Sequence, residues 1–299
     1  MKALRFATVL IIAVYYSGFA QETTEKLPYN VDLSIISMEN QGSSYITFPT
    51  DIGNMEPLIF EANLIPNFML RKNKNSRLMG VLTPQIILRM YNEYSYPVRT
   101  PSYMPQLTAL YLIGNKKKSN LLTLFGRLAH HSNGQQDDLI LDSGQINRLS
   151  GDFATNYVEG GGIITNFNHK TRAVRFFKTS FEYHPENSVH RQLKGEFSRF
   201  RWHFEFSAFK LPKIKTSGKT KPDISLNLKT TWQFGDIPSL DFFSYERLQA
   251  GLTLSYYPDF LDEMGFFIQF YTGRDYYNLY FDKYRSMIRF GLMTDKLRF

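Results

Sequence analysis

The chain has 299 residues, a net charge of +8 and no cysteine, which excludes thiol catalysis, thiolate metal sites and disulfide staples. Aromatics make up 16% of it, with 19 Tyr and 26 Phe, while the mean hydropathy of −0.31 is too low for a bundle of membrane helices. The bases are scattered, so the pI near 9.4 suits anionic lipid head groups better than nucleic acid.

In chain order, the first feature is a secretory signal peptide over residues 1–20. Lys2 and Arg5 supply the basic start, Phe6 to Tyr16 the apolar run, and Ser17-Gly18-Phe19-Ala20 the small residues before a cut ahead of Gln21. That run is too short to span a bilayer comfortably, and no later segment approaches the roughly 18 apolar residues that a transmembrane helix needs. The exported remainder, 21–299, reads as one unit: either a soluble β-sandwich or a membrane β-barrel.

Alternation favours the barrel. Phe200, Trp202, Phe204 and Phe206 oppose Arg201, His203 and Glu205. Ile224, Leu226, Leu228, Trp232 and Phe234 oppose Ser225, Asn227, Lys229, Thr231 and Gln233, and Leu248 to Tyr256 repeats the pattern. A period of two with one apolar face is a strand signature. Turn signals separate such runs at Lys72-Asn73-Lys74-Asn75, Gly114 to Lys118, Asn166-Phe167-Asn168 and Thr216-Ser217-Gly218. No helix of convincing length and no repeat stands out. Membrane strands of 9–11 residues with their loops make the expected fold all-β, a single antiparallel transmembrane barrel of about 12 strands. The terminal aromatic, Phe299, fits the close of such a barrel.

One stretch carries chemistry: His130-His131-Ser132-Asn133-Gly134, then Ser143-Gly144-Gln145-Ile146-Asn147-Arg148. Leu122, Leu124 and Leu128 precede it in a strand pattern, so His130 and Ser132 share one face while His131 points away. A base beside a hydroxyl suits nucleophilic catalysis, and Asn147 on the next strand could orient the imidazole. An isolated His–Ser pair in a strand is more often only polar surface.

The longer pattern, H-x-S-N-G followed by S-x-x-x-N-R, resembles the signature of the outer membrane phospholipase A family. Ser95 to Thr100 with Tyr103-Met104-Pro105-Gln106-Leu107, and Gln269-Phe270-Tyr271-Thr272-Gly273, are similar to further segments of that family. The resemblance implies an outer-membrane barrel that hydrolyses acyl esters of phospholipids (A1, A2 and lysophospholipase activity) and is activated as a homodimer. It implies His130 as base, Ser132 as nucleophile, Asn147 as third member and the Gly134 N–H as oxyanion donor. It also implies calcium, held by the Gln135 carbonyl, Ser143 and, from the partner subunit, Ser95. The interval from Gly134 to Ser143 is longer than the family's usual form, and its Asp137, Asp138 and Asp142 offer further oxygen ligands.

Other readings make different claims. A non-catalytic porin or structural barrel would turn His130 and Ser132 into the lumen, or hold them too far from Asn147 to connect. A lipid A deacylase would need a Glu soon after the Ser, whereas the next is Glu159.

Overall fold

The structure is a computed structural model that describes residues 31–49, 51–73, 75–113, 120–212, 220–235, 237, 240–294 and 297. The expected signal peptide, the turns at 114–118 and 216–218, and Phe299 lie outside them.

The chain enters through a short helix, α1 (Leu33–Gln41), followed by β1 (Tyr45–Thr47), β2 (Ile52–Gly53), β3 (Leu58–Leu64) and β4 (Phe68–Leu70). Ten longer strands complete the wall: β5 (Leu78–Tyr91), β6 (Ser102–Ile113), β7 (Asn120–Ser132), β8 (Ala154–Asn168), β9 (Ala173–Tyr183), β10 (Phe200–Lys210), β11 (Ile224–Phe234), β12 (Leu248–Tyr256), β13 (Met264–Arg274) and β14 (Tyr284–Thr294). The pairing is antiparallel throughout, and β1 bonds both to β3 (Tyr45 opposite Asn63) and to β14 (Tyr45 opposite Met293), which closes the sheet. Short β2 extends the β1 edge along β14, and β4 extends β3 along β5, so the fourteen strands form twelve staves. Closure removes every free edge, the requirement for a sheet in hydrocarbon.

The burial pattern is inverted relative to a soluble sheet. Leu82, Leu107, Leu124, Phe181, Trp202 and Phe270 are exposed on the outer wall, while Glu61, Arg89, Thr108, Thr165, Ser180 and Arg289 are buried in the lumen. Apolar-out, polar-in alternation is what a membrane barrel needs. The faces expected for β10, β11 and β12 are the ones observed, with the apolar residues outward.

Ion pairs fill the lumen. Arg89 donates to Glu61 at 2.8 Å and by a two-pronged contact to Asp275 at 2.9 Å, and Arg289 meets the other Glu61 oxygen at 2.8 Å. A second set joins Arg127 to Glu159 at 2.7 Å and Arg201 to Glu182 at 3.1 Å. Each buried charge needs its partner, because a lone one costs several kcal/mol.

Apolar layers cap these networks at both ends. At the end with the shorter connections, α1 lies inside the barrel, its Leu33, Ile35 and Ile36 packed with Met79, Leu110 and Phe176. Asp32 caps its start by accepting from the Ser34 and Ile35 N–H groups, and Gly42 at φ 80° ends it. The sequence hid this helix because lumen walls surround it, so no polar stripe marks a solvent side. At the other end, loop residues Leu139, Phe153, Leu193, Phe197, Tyr280 and Phe281 form the second layer. Between the layers lies a polar cavity of about 440 Å³. Asn166-Phe167-Asn168, expected as a turn, instead completes β8, and the chain reverses over residues 169–172.

Candidate active site

The burial of β7 alternates along its length. Leu121, Thr123, Phe125, Ala129 and His131 are buried in the lumen, while Leu122, Leu124, Leu128, His130 and Ser132 face outward. His130 and Ser132 therefore share the outer wall, their Cα atoms about 7 Å apart along the strand. His131 goes the other way, its Nε2 3.1 Å from the buried Ser102 hydroxyl and its ring against Phe153.

In the β7–β8 register, the residue opposite His130 is Asn156. Its Oδ1 lies 2.8 Å from His130 Nδ1. The Asn156 amide group also donates from Nδ2 to the Ser188 carbonyl at 3.4 Å. A carbonyl can only accept, so this contact turns the NH2 group away from the ring and Oδ1 toward it. His130 Nδ1 then carries the proton, and Nε2 keeps the lone pair that a general base needs.

Asn147, the expected third member, is elsewhere. Its Nδ2 donates to the Asp138 carbonyl at 3.3 Å and to Ser150 Oγ at 3.2 Å, while its Oδ1 accepts from the Leu149 and Ser150 N–H groups. It folds the loop between β7 and β8, and among the described residues His130 takes Asn156 as its partner. The difference from the expected arrangement has a simple cause. The loop is longer than the motif spacing suggested, and the contact comes from cross-strand register, which a count along the chain does not reveal.

That loop, residues 133–153, is clipped at its base by Asn133. Its Nδ2 donates to the Gly151 carbonyl at 2.8 Å, and its Oδ1 accepts from Phe153 N–H at 3.0 Å and Gln135 N–H at 3.2 Å. The clip brings Gln135 and Asp152 to the same place beside the active strand pair. Gly134 follows Ser132 closely with φ 68°, a conformation that favours glycine, and a Cβ there would sit 3.5 Å from the Tyr103 ring. Tyr103 itself faces Ser132 across β6.

The expected metal ligands are not drawn into one cluster. Ser143 sits exposed in the 141–144 turn, where Gly144 N–H bonds the Leu141 carbonyl. Asp137, Asp138, Asp142 and Ser95 are exposed, and Ser95 lies in the 92–101 loop at φ 66°. Among the described residues no group of three or more His, Asp or Glu side chains is assembled for a metal. Asp152 stands four residues before Asn156, the offset at which Ser143 precedes Asn147, and it lies 3.5 Å from His190.

A groove of about 410 Å³ runs along the outer wall beside these groups. Leu107, Leu128, Val158, Pro105 and Pro185 line it, with His130 and Asn156 at its polar end. The 184–199 loop forms its far side and is anchored by the Glu186–Arg199 pair at 3.0 Å and by His190 N–H to the Ala154 carbonyl at 2.9 Å. Behind it, His184 bonds Thr155 Oγ1 at 2.8 Å and Glu182 at 2.7 Å. Burial pushes the His184 imidazole below its ordinary range, against the pull of Glu182.

Among solved structures the chain is similar to outer membrane phospholipase A from Escherichia coli, at 14% identity over 92% of this chain and 94% of that one, with a TM-score of 0.57. An active-site mutant of that protein matches with the same TM-score of 0.57. The calcium-bound dimer of the outer membrane phospholipase of Salmonella typhi is similar at 12% identity over 84% of this chain and 90% of that one, with a TM-score of 0.56. No protein-family model and no curated protein matches the sequence. At such identities the likeness carries the fold: a closed, twelve-stave antiparallel barrel of the outer-membrane type.

Proposed function

We propose that the chain is an outer-membrane phospholipase that hydrolyses acyl esters with Ser132 as nucleophile, His130 as general base and Asn156 as the orienting third member. The observation that carries this reading is the 2.8 Å contact from His130 to Asn156 on the lipid-facing wall, with the amide oriented by Ser188. Polar groups are costly on that wall, so a connected set of them beside an apolar groove favours function over surface decoration.

In the proposed reaction the ester carbonyl sits at the polar end of the groove with its acyl chain along Leu107, Leu128 and Val158. Ser132 Oγ attacks the carbonyl carbon as His130 Nε2 takes the hydroxyl proton. Asn156 Oδ1 stabilises the imidazolium through the Nδ1 proton. The Gly134 N–H supports the oxyanion. His130 then protonates the departing lysophospholipid alcohol, and a water, deprotonated by the same imidazole, releases the fatty acid from Ser132.

The oxygen donors at the loop base are of the type a hard cation such as calcium takes. The Gln135 carbonyl and the Asp152 carboxylate would hold it, with Asp137 near by through its bond to Asp152 N–H, and Ser95 of a second copy would complete the set. Bound there, the ion would supply positive charge to the developing oxyanion. Asp152 takes the place expected for Ser143, and a carboxylate is the harder donor of the two.

The test is fatty-acid release from phospholipid–detergent micelles by the refolded protein, with calcium and with chelator, beside Ser132→Ala. The expected result is calcium-dependent release that the variant lacks. No release from a folded, dimeric barrel would overturn the reading in favour of a barrel without catalysis. Of the two arrangements this alternative expects, the lumen-facing His130 and Ser132 are not what β7 presents, whereas Asn147 does bond within its loop rather than to His130.

A further inference from the structure

At the far end of the same wall, the charges follow a rule with two exceptions. In β7 to β11 the charged side chains Arg127, Glu159, Lys178, Glu182, Arg201 and Glu205 turn into the lumen and are paired there. Arg175 and Lys210 point outward, onto the membrane face. A cation facing hydrocarbon is costly unless it reaches an anion or the head-group layer.

Arg175 is held rather than free. Its register partner on β8 is Asn166, whose Oδ1 accepts from Arg175 Nε at 2.9 Å. The guanidinium carbon lies 5.8 Å from the Phe177 ring centre. This fixes the fork, and among the described residues both terminal NH2 groups are left unused and no carboxylate pairs with it. On β10 the residue opposite Arg175 is Ala208, whose small side chain opens a notch beside the guanidinium. Lys210, exposed, stands one outward position further toward the strand end. Asn120 on β7 extends the polar row from Asn166. Immediately inward, Leu122, Ile164, Phe177 and Phe206 begin the apolar belt.

We propose that Arg175, with Asn166 and Lys210, binds the phosphate of a membrane phospholipid at the barrel end opposite the His130 site. The fork geometry of a guanidinium suits two phosphate oxygens, and the ammonium of Lys210 supplies a second charge. Phe177 and the belt behind it would lie along the lipid's acyl chains. Asn166 is ten residues along β8 from Asn156, roughly 33 Å, so this site is separate from the proposed chemistry. Shorter connections mark this end as periplasmic, which places Arg175 among inner-leaflet head groups. The inference rests on the barrel lying in a membrane and stands whether or not Ser132 is a nucleophile.

Native mass spectrometry of the refolded full chain tests it, using dialkyl-ether phosphatidylglycerol, which resists ester hydrolysis. Wild type is expected to retain one such lipid after the detergent is stripped, and Arg175→Gln to lose about tenfold in retention, the worth of one or two charge-assisted hydrogen bonds. Arg175→Lys should recover part of it. Dialkylglycerol without the phosphate, and inorganic phosphate alone, should not be retained. Equal retention by Arg175→Gln, retention of the phosphate-free lipid, or binding of inorganic phosphate at the same strength would each overturn the proposal. If Arg175→Gln fails to fold by gel mobility, Lys210→Gln gives the reading: weaker retention supports the site and unchanged retention overturns it.

Discussion

His130 and His131 are neighbours on one strand, and each stands near a serine and an asparagine. On the outer wall, Asn156 accepts from His130 Nδ1, and His130 shares that face with Ser132. In the lumen, His131 bonds Ser102, and Asn278 donates to that same serine at 2.9 Å, with Ser102 wholly buried. The residue types are alike and the chemistry is not. Outside, the asparagine accepts from the imidazole beside an open groove, as the proposed triad requires. Inside, the asparagine spends its amide on the serine, the serine's oxygen is engaged from both sides, and no substrate can arrive. The direction of a hydrogen bond and access from the membrane separate a candidate triad from a structural brace.

Substitutions should separate the two further. Ser132→Ala is expected to remove phospholipid hydrolysis, by roughly 10³-fold or more, while the folded barrel keeps its gel mobility. Fatty-acid titration on the folded fraction is the measurement, and near-wild-type turnover would place the nucleophile elsewhere. Asn156→Ala should follow, with a loss within the roughly 10²–10⁴-fold that a positioned general base provides, because the imidazole remains but its tautomer is no longer held. His131→Ala should leave the turnover of folded protein near wild type and lower stability by about 1–3 kcal/mol, the cost of leaving the buried Ser102 hydroxyl without its imidazole partner. Urea unfolding in detergent reads that change. Asn147→Ala should be the mildest for activity, within about twofold, since it trims loop hydrogen bonds on an exposed segment. A larger loss there than for Asn156→Ala would return the third role to Asn147.

The sequence carries the faces of the strands more plainly than their pairing. Faces were legible: the alternation through Phe200–Phe206, Ile224–Phe234 and Leu248–Tyr256 assigned the outer wall correctly, and it set His130 and Ser132 apart from His131. Register was not. Asn147 answers the motif's spacing, yet Asn156 answers the geometry, because His130 meets whatever residue the β7–β8 ladder places opposite it. No clean signal marked it: the run from Ala154 breaks its alternation at Tyr157-Val158 and Gly160-Gly161-Gly162, and only the observed pairing of β7 with β8 selects Asn156. The helix α1 was hidden for a related reason, since a helix enclosed by a lumen needs no solvent stripe. In the proposed site the calcium donor becomes Asp152 in place of Ser143 for the same reason.

The most direct test of the outward triad is covalent labelling of the folded barrel in micelles with an alkyl sulfonyl fluoride, which forms a sulfonyl ester on an activated serine and releases fluoride. Peptide mass spectrometry should find one adduct, on Ser132, strongly slowed by Asn156→Ala and unaffected by Asn147→Ala. An unlabelled Ser132 in a folded, calcium-loaded dimer, or labelling that ignores Asn156, would contradict the account.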